Sequence, residues 1–180
     1  NEELDISESS NLCLSRLFES YLIVSQNIEL VSIWSSLELL EKLVDISGSP
    51  GVFTDPILSS LLSNLIQLSN DPNSDPSVAE KVTDIICQIL ELNSMNQECE
   101  YSADPFITEL ISMYRNFNGL YKENILSIFE VSVECYFSPT VSWKILSVFE
   151  FDMVFENEMM FLKKLLISAK NNSAFNMSAI

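Results

Sequence analysis

Residues 54–92 read TDPILSSLLSNLIQLSNDPNSDPSVAEKVTDIICQILEL and contain two helical patterns joined by a short polar turn. Each pattern opens with Asp-Pro, at Asp55-Pro56 and at Asp75-Pro76. An aspartate can accept hydrogen bonds from the free amides of a first helical turn, and proline fits the first position because no amide donor is needed there. Two helices joined by so short a turn run antiparallel. The stretch therefore predicts a helical hairpin.

Each helix of this hairpin has one apolar face. In the first, we expect these side chains to be buried: Ile57, Leu58, Leu61, Leu62, Leu65 and Ile66. In the second, the apolar face is formed by Val78, Val82, Ile85, Ile86 and Ile89. This spacing is typical of helices that pack on one side only. The other face of the second helix carries Glu80, Asp84 and Glu91.

Similar signals predict six more helices, so the fold class is all-α with about eight helices. Asp104-Pro105 and Ser138-Pro139 repeat the proline start, and Gly48 and Gly119 mark helix ends. The predicted helices cover residues 10–25, 28–46, 56–68, 76–92, 105–116, 120–137, 139–149 and 157–169. We predict a flexible acidic leader over residues 1–8, a single helical repeat domain over 9–169, and a polar tail over 170–180. In the first helix the expected apolar stripe is Leu14, Leu17, Phe18, Tyr21 and Leu22.

The helix starts recur along the chain. Starts near residues 10, 54 and 104, and near 28, 75 and 120, are about 44–50 residues apart. Armadillo and HEAT repeats have a period of about 40–47 residues. The chain therefore resembles an armadillo/HEAT-type α-solenoid, and this resemblance implies stacked antiparallel hairpins in a right-handed superhelix. A compact eight-helix superhelical domain is the alternative topology.

The charge balance restricts the class of partner. The chain has 26 acidic and 9 basic residues, a net charge of −17. Binding to nucleic acid or to an anionic membrane depends on Lys and Arg, so neither is expected, and a basic protein segment is the natural complement. No apolar run approaches the length of about 20 residues that spans a bilayer.

The residues that usually carry catalysis are scarce. The sequence has no histidine, which removes the commonest general base and metal ligand. Glu156 and Glu158 read as solvated loop acids rather than as an acid–base pair. We therefore predict a non-enzyme that needs no metal or other cofactor. Four cysteines without paired spacing favour reduced thiols and hence a cytoplasmic or nuclear protein.

An acidic ladder is the first candidate site. In a regular stack the even-numbered helices form one layer, and acids recur on the polar faces of the second, fourth and sixth helices. Trp34, one turn before Glu38, could add a cation–π contact. The candidate partner-binding residues are Trp34, Glu38, Glu41, Asp45, Glu80, Asp84, Glu91, Glu123, Glu130 and Glu134. The ordinary alternative is that these acids form the solvated face of helices that bind nothing.

Importin-like armadillo proteins carry a groove Trp followed four residues later by Asn. Here Trp34 is followed by Glu38, and Trp143 is followed by Ser147. Neither position reproduces the Asn, so recognition of cargo signals is only a distant analogy.

A Phe/Met-rich segment near the C-terminal end is the second candidate. Residues 149–161 read FEFDMVFENEMMF and either close the core or present an apolar surface to a partner. The candidate surface residues are Phe151, Met153, Phe155 and Met159. Together the two candidates favour a non-catalytic scaffold that binds a peptide or helix of a partner within a larger complex. The alternative is a regulatory or catalytic subunit, or a helical domain that binds a small molecule.

Overall fold

The computed structural model describes residues 2–25, 33–47, 53, 55–69, 75–95, 104–116, 120–135, 139–149 and 156–171. They form eight helices: α1 (Glu2–Ser25), α2 (Ile33–Ser47), α3 (Asp55–Ser69), α4 (Pro76–Ser94), α5 (Asp104–Asn116), α6 (Leu120–Cys135), α7 (Pro139–Leu146) and α8 (Glu156–Asn171). None of these described residues lies in a β-strand. The prediction of an all-α fold is confirmed.

Helix starts agree with the sequence for α3 to α8, each within one residue of the predicted position. The predicted start of the first helix near residue 10 is wrong, because α1 begins at Glu2 and includes most of the expected leader. The predicted first turn of the second helix, residues 28–32, lies outside the described residues.

The α4 start shows how Asp-Pro begins a helix. Asp75 has an extended backbone, and its Oδ1 accepts hydrogen bonds from the Ser77 amide at 2.9 Å and from the Ser77 hydroxyl at 2.8 Å. Pro76 occupies the first helical position. These bonds lower the pKa of the Asp75 carboxyl, because they stabilise its charged form.

We expect Asp75→Ala to destabilise the protein at pH 7 and Asp75→Asn to do so less, because Asn also caps helices. The pKa of Asp75 is lower in the folded than in the unfolded protein, so its ionic contribution is present above the unfolded pKa and is lost as pH falls through the folded pKa. Urea unfolding at pH 7 and at about pH 3 measures this. If Asp75→Asn loses as much stability on acidification as wild type, this carboxylate has no part in the loss.

The chain divides into two compact units, unit 1 (Asn1–Tyr101) and unit 2 (Ser102–Ile180), and each is described by itself. In unit 1, α1 packs on α2 and α3, and α4 packs on α2 and α3. All eleven apolar side chains predicted to be buried on α3 and α4 are buried. Phe18 and Phe53 add an aromatic contact with ring centroids 4.9 Å apart. The single domain over residues 9–169 stays a prediction.

The apolar stripe of α1 is narrower than predicted. Phe18 and Tyr21 are buried, Leu14 and Leu22 are half-buried, and Leu17 is exposed. Helices α2 and α3 cover the side of α1 that holds Phe18 and Tyr21. Leu17 therefore lies on the expected apolar stripe without being buried.

Unit 2 shares part of this order of packing, since its first helix contacts the second and third and its second contacts the fourth. Helix α5 packs on α6 and α7, and α6 also packs on α7 and α8. Phe129 of α6 is fully buried, with ring centroids 6.0 Å from Tyr114 and 6.2 Å from Phe161. Phe149 completes the cluster, 5.7 Å from Tyr114 and 5.6 Å from Phe161. The central position of α6 accounts for its apolar residues on most sides.

Candidate partner-binding surface

The polar faces of α2 and α4 form the acidic surface of unit 1. The two helices carry six acidic residues and two lysines. Five of the acids are exposed: Glu38, Asp45, Glu80, Asp84 and Glu91. The sixth, Glu41, is half-buried and forms an ion pair with Lys81 of α4. Because α2 packs on α4, the structure brings these candidate residues onto adjoining faces.

The Glu41–Lys81 ion pair lies at the contact between α2 and α4. Glu38 and Asp45 each lie one helical turn from Glu41, and Asp84 lies one turn after Lys81. The charge of Lys81 is therefore balanced within the chain, and Glu38, Asp45 and Asp84 each lie one turn from a member of the pair. Lys42 is the other lysine on these two helices.

Trp34 and Glu38 are connected on the outer face of α2. The Trp34 side chain is exposed, with 41% of its surface accessible. Its indole Nε1 donates a hydrogen bond to Glu38 Oε1 at 3.1 Å. This bond holds the ring beside the carboxylate, so a cation could contact both the ring face and the negative charge.

The acidic stripe of α6 in unit 2 differs, because α8 engages much of it. Glu123 accepts a hydrogen bond from Asn157 Nδ2 at 2.7 Å, and Glu130 forms an ion pair with Lys164. Glu130, with a smaller contribution from Glu134, raises the pKa of Lys164. The α6 candidates are therefore less available to an external cation than the exposed acids of α2 and α4.

The two units share one feature that sequence reasoning missed. In each, a glutamate on the second helix pairs with a lysine on the fourth, as Glu41 with Lys81 and Glu130 with Lys164. The partners are 40 and 34 residues apart. The sequence gives one sign of such pairing. A helix with an acidic stripe is followed, two helices later, by a helix that carries a lysine.

A small cleft lies between α6 and α8. Its volume is about 190 Å³, below the 300–1,000 Å³ usual for small-molecule sites. The cleft is lined by Glu123, Leu126, Ser127, Glu130, Asn157, Met160, Phe161 and Lys164. Its size and its internal ion pair favour a packing crevice over a ligand site.

The second candidate surface is only partly described. Met159 is exposed on α8, whereas Phe151, Met153 and Phe155 lie outside the described residues. Phe149 and Phe161, at the two ends of the segment, are buried in the core of unit 2. The segment therefore contributes to the core at both ends.

Glu158 has a different environment from the one predicted. It is buried, and its Oε1 accepts a hydrogen bond from the Tyr114 hydroxyl. Burial, together with the Glu158 carboxylate, raises the pKa of Tyr114. Lys122 Nζ lies 5.0 Å from the centroid of the Tyr114 ring. The expectation of a solvated loop acid is wrong for Glu158, because its side chain lies against Tyr114 of α5, whose hydroxyl supplies a hydrogen-bond donor.

The described residues contain neither a metal-binding cluster nor a membrane-spanning helix. No group of three or more acidic or cysteine side chains there is arranged to hold a metal ion. None of the helices in the described part of the chain is long and apolar enough to cross a bilayer. Cys13, Cys87 and Cys135 are not in disulfides, and Cys99 lies outside the described residues.

Comparison with known proteins identifies no relative. No protein-family model matches the sequence, and no curated protein or solved structure is detectably similar to it. The armadillo/HEAT resemblance and the partner-binding residues therefore stay predictions.

Proposed function

We propose that this protein is a non-catalytic interaction scaffold whose α2/α4 face binds a Lys/Arg-rich segment of a partner protein. The observation that carries the proposal is the exposed cluster of carboxylates on two packed helices, with Trp34 bonded to one of them. The local excess of negative charge attracts a basic segment. The cluster consists of carboxylates and one indole, which suit recognition of a cation.

The magnitudes favour an extended contact over a single site. One exposed ion pair contributes about 0.2–1 kcal/mol, and a cation over Trp34 contributes about 0.5–2 kcal/mol. Micromolar affinity corresponds to about 8 kcal/mol. Several of the five exposed acids must therefore be engaged at once, together with apolar contacts. Glu123, Glu130 and Glu134 have a smaller role in this proposal, because α8 engages Glu123 and Glu130 and places Lys164 near Glu134.

Two further parts of the proposal concern architecture and location. The packing within each unit supports an armadillo/HEAT-type stack, since the first helix of the unit contacts the third and the second contacts the fourth. A cytoplasmic or nuclear location is supported by four cysteines without disulfide-type spacing.

Charge reversal tests the binding proposal. We expect Glu38→Lys combined with Glu80→Lys to raise the Kd for a fluorescein-labelled, Ala/Ser-based peptide with five Lys or Arg residues by about tenfold or more, because two attractive contacts become repulsive. Fluorescence anisotropy measures the Kd. We also expect wild-type affinity to fall as NaCl is raised from about 50 to 300 mM, since salt screens exposed charges.

The matched control is Glu19→Lys combined with Glu156→Lys, which changes the net charge equally. Both residues are exposed and lie on α1 and α8. If the two double variants weaken peptide binding equally, the effect comes from the net charge of the protein and not from the α2/α4 face. That result, or binding that salt leaves unchanged, contradicts the proposal.

A further inference from the structure

Trp34 is followed on α2 by a row of acidic side chains. At 100° per residue, Glu38, Glu41 and Asp45 all lie within about 40° of Trp34 around the helix. Because each residue adds about 1.5 Å along the axis, Glu38 lies about 6 Å along the helix from Trp34, and Asp45 lies about 16 Å from it. The ring and the row of acids therefore lie on the same side of α2.

The acids of this row are not equally available to a partner. Glu41 is half-buried and paired with Lys81 of α4, whereas Glu38 and Asp45 are exposed. Glu38 is the acid closest to Trp34 along the helix, and its Oε1 accepts a hydrogen bond from the indole Nε1 at 3.1 Å. A carboxylate has about four lone-pair positions, and the indole N–H uses one of them. Glu38 can therefore accept further hydrogen bonds from a bound cation.

The hydrogen bond also shows where the Glu38 carboxylate lies relative to the Trp34 ring. An indole N–H points outward in the plane of the ring, and hydrogen bonds prefer to be nearly straight. The bonded carboxylate oxygen therefore lies beyond the edge of the ring and not above its face. The site offers two contacts side by side, an exposed aromatic ring and a carboxylate next to its edge.

The basic residues nearby leave the Trp34 ring open. Lys42 of α2 follows Glu38 by one turn and lies about 80° around the helix from Trp34, so Glu38 lies between Lys42 and the ring. Lys81 of α4 is paired with Glu41. Within the part of the chain that the structure describes, no Lys or Arg side chain lies over the Trp34 ring. A cation from a partner can therefore reach it.

Arginine matches this arrangement better than lysine does. A guanidinium is planar, weakly hydrated and rich in N–H donors, so it can stack on the ring and donate to the adjoining carboxylate at the same time. An ammonium is a compact, strongly hydrated point charge, and a position over the ring centre takes it away from a carboxylate beyond the ring edge. We propose that Trp34 and Glu38 form an arginine-selective site for the basic segment of the partner. The inference rests on the proposed function for the binding of that segment to the α2/α4 face.

Two peptides that differ only in their basic residues test the inference. Both are fluorescein-labelled and Ala/Ser-based, one with five Arg residues and the other with five Lys residues at the same positions. The measured quantity is the ratio of the Kd for the Lys peptide to the Kd for the Arg peptide, from fluorescence anisotropy. We expect Trp34→Leu to lower this ratio by about two- to fivefold, because an exposed cation–π contact is lost. Trp34 is exposed, so this substitution leaves the core unchanged.

The matched control is Trp143→Leu. Trp143 lies on α7 in unit 2 and is also exposed, so its loss should leave the ratio unchanged. The sequence contains two tryptophans, so Trp34 is the only one in this variant. We expect an unlabelled Arg peptide to change the Trp34 fluorescence of Trp143→Leu more than the Lys peptide does, because the guanidinium stacks on the ring.

The outcomes separate this inference from the proposed function. Equal ratios for wild type and Trp34→Leu overturn the inference, as does an equal decrease in Trp143→Leu. If the ratio is the same in wild type and Trp34→Leu but Glu38→Lys/Glu80→Lys weakens the binding of both peptides, the inference fails and the proposed function stands. If Trp34→Leu lowers the ratio but Glu38→Lys/Glu80→Lys leaves the Kd for the Lys peptide unchanged, the proposed function fails and the arginine-selective site stands.

Discussion

Phe129→Ala is expected to lower the free energy of unfolding of unit 2 by about 3–5 kcal/mol, the usual cost of truncating a buried phenylalanine. Phe129 is fully buried on α6, and its ring contacts those of Tyr114 and Phe161. Helices α5, α7 and α8 all pack on α6, so the cavity would lie where the unit is held together. Urea unfolding followed by circular dichroism measures the loss.

The control for this prediction is Met159→Ala on α8, where the side chain is exposed. Its effect should stay within about 0.5 kcal/mol, because surface truncations create no cavity. Hydrogen exchange shows where stability is lost, because amides of α5, α6 and α8 should lose protection in Phe129→Ala. A loss below about 1 kcal/mol would mean that the aromatic cluster does not stabilise the unit as its geometry indicates.

Local sequence was sufficient to predict a helix where its capping residues and the spacing of its apolar residues indicate the same element. The Asp75-Pro76 start of α4 combines a capping carboxylate with a residue that needs no amide partner, and both act as expected. The apolar faces of α3 and α4 were predictable because a helix with one covered side repeats its buried positions every three or four residues. These signals depend on neighbours within a few positions.

Features that depend on distant residues were not predictable. Leu17 fits the helical stripe of α1, yet it is exposed because no described helix covers that side. Glu158 is polar and near a helix start, yet it is buried because Tyr114, 44 residues earlier, supplies a donor. Periodicity assigns a face to each helix, whereas the number of packed neighbours decides how much of that face is covered.

The candidate site also has some features that follow from local sequence and others that depend on contacts between distant residues. The residues of the acidic face on α2 and α4 followed from helical spacing, and the structure places the two helices side by side. The pairing of Glu130 with Lys164 on α8 did not follow, because no local pattern says which helices adjoin. The sequence therefore predicted where the acids lie on each helix, and the structure decided which are engaged within the chain.

Tyr114→Phe is expected to cost about 1.5–3 kcal/mol at pH 7, because it removes a hydrogen bond to a buried carboxylate. Glu158 would lose that donor within a site largely closed to water. Tyr21→Phe is the matched control. The Tyr21 hydroxyl is also buried but accepts from the neutral Ser36, so its loss should cost only about 0.5–1.5 kcal/mol.

Protein stability at alkaline pH tests whether the Tyr114 hydroxyl must keep its proton in the folded state. Burial and Glu158 raise its pKa in the folded state, so its contribution is fully present below the unfolded pKa of about 10 and is lost as pH rises through the folded value. Wild-type stability should therefore fall more steeply than that of Tyr114→Phe as pH is raised above about 10. Burial also raises the pKa of Tyr21. Tyr21→Phe should therefore remove a separate part of the decrease in the free energy of unfolding with pH. Equal slopes for wild type and Tyr114→Phe in urea titrations at pH 9 to 11 would show that the Tyr114 proton is not held by this contact.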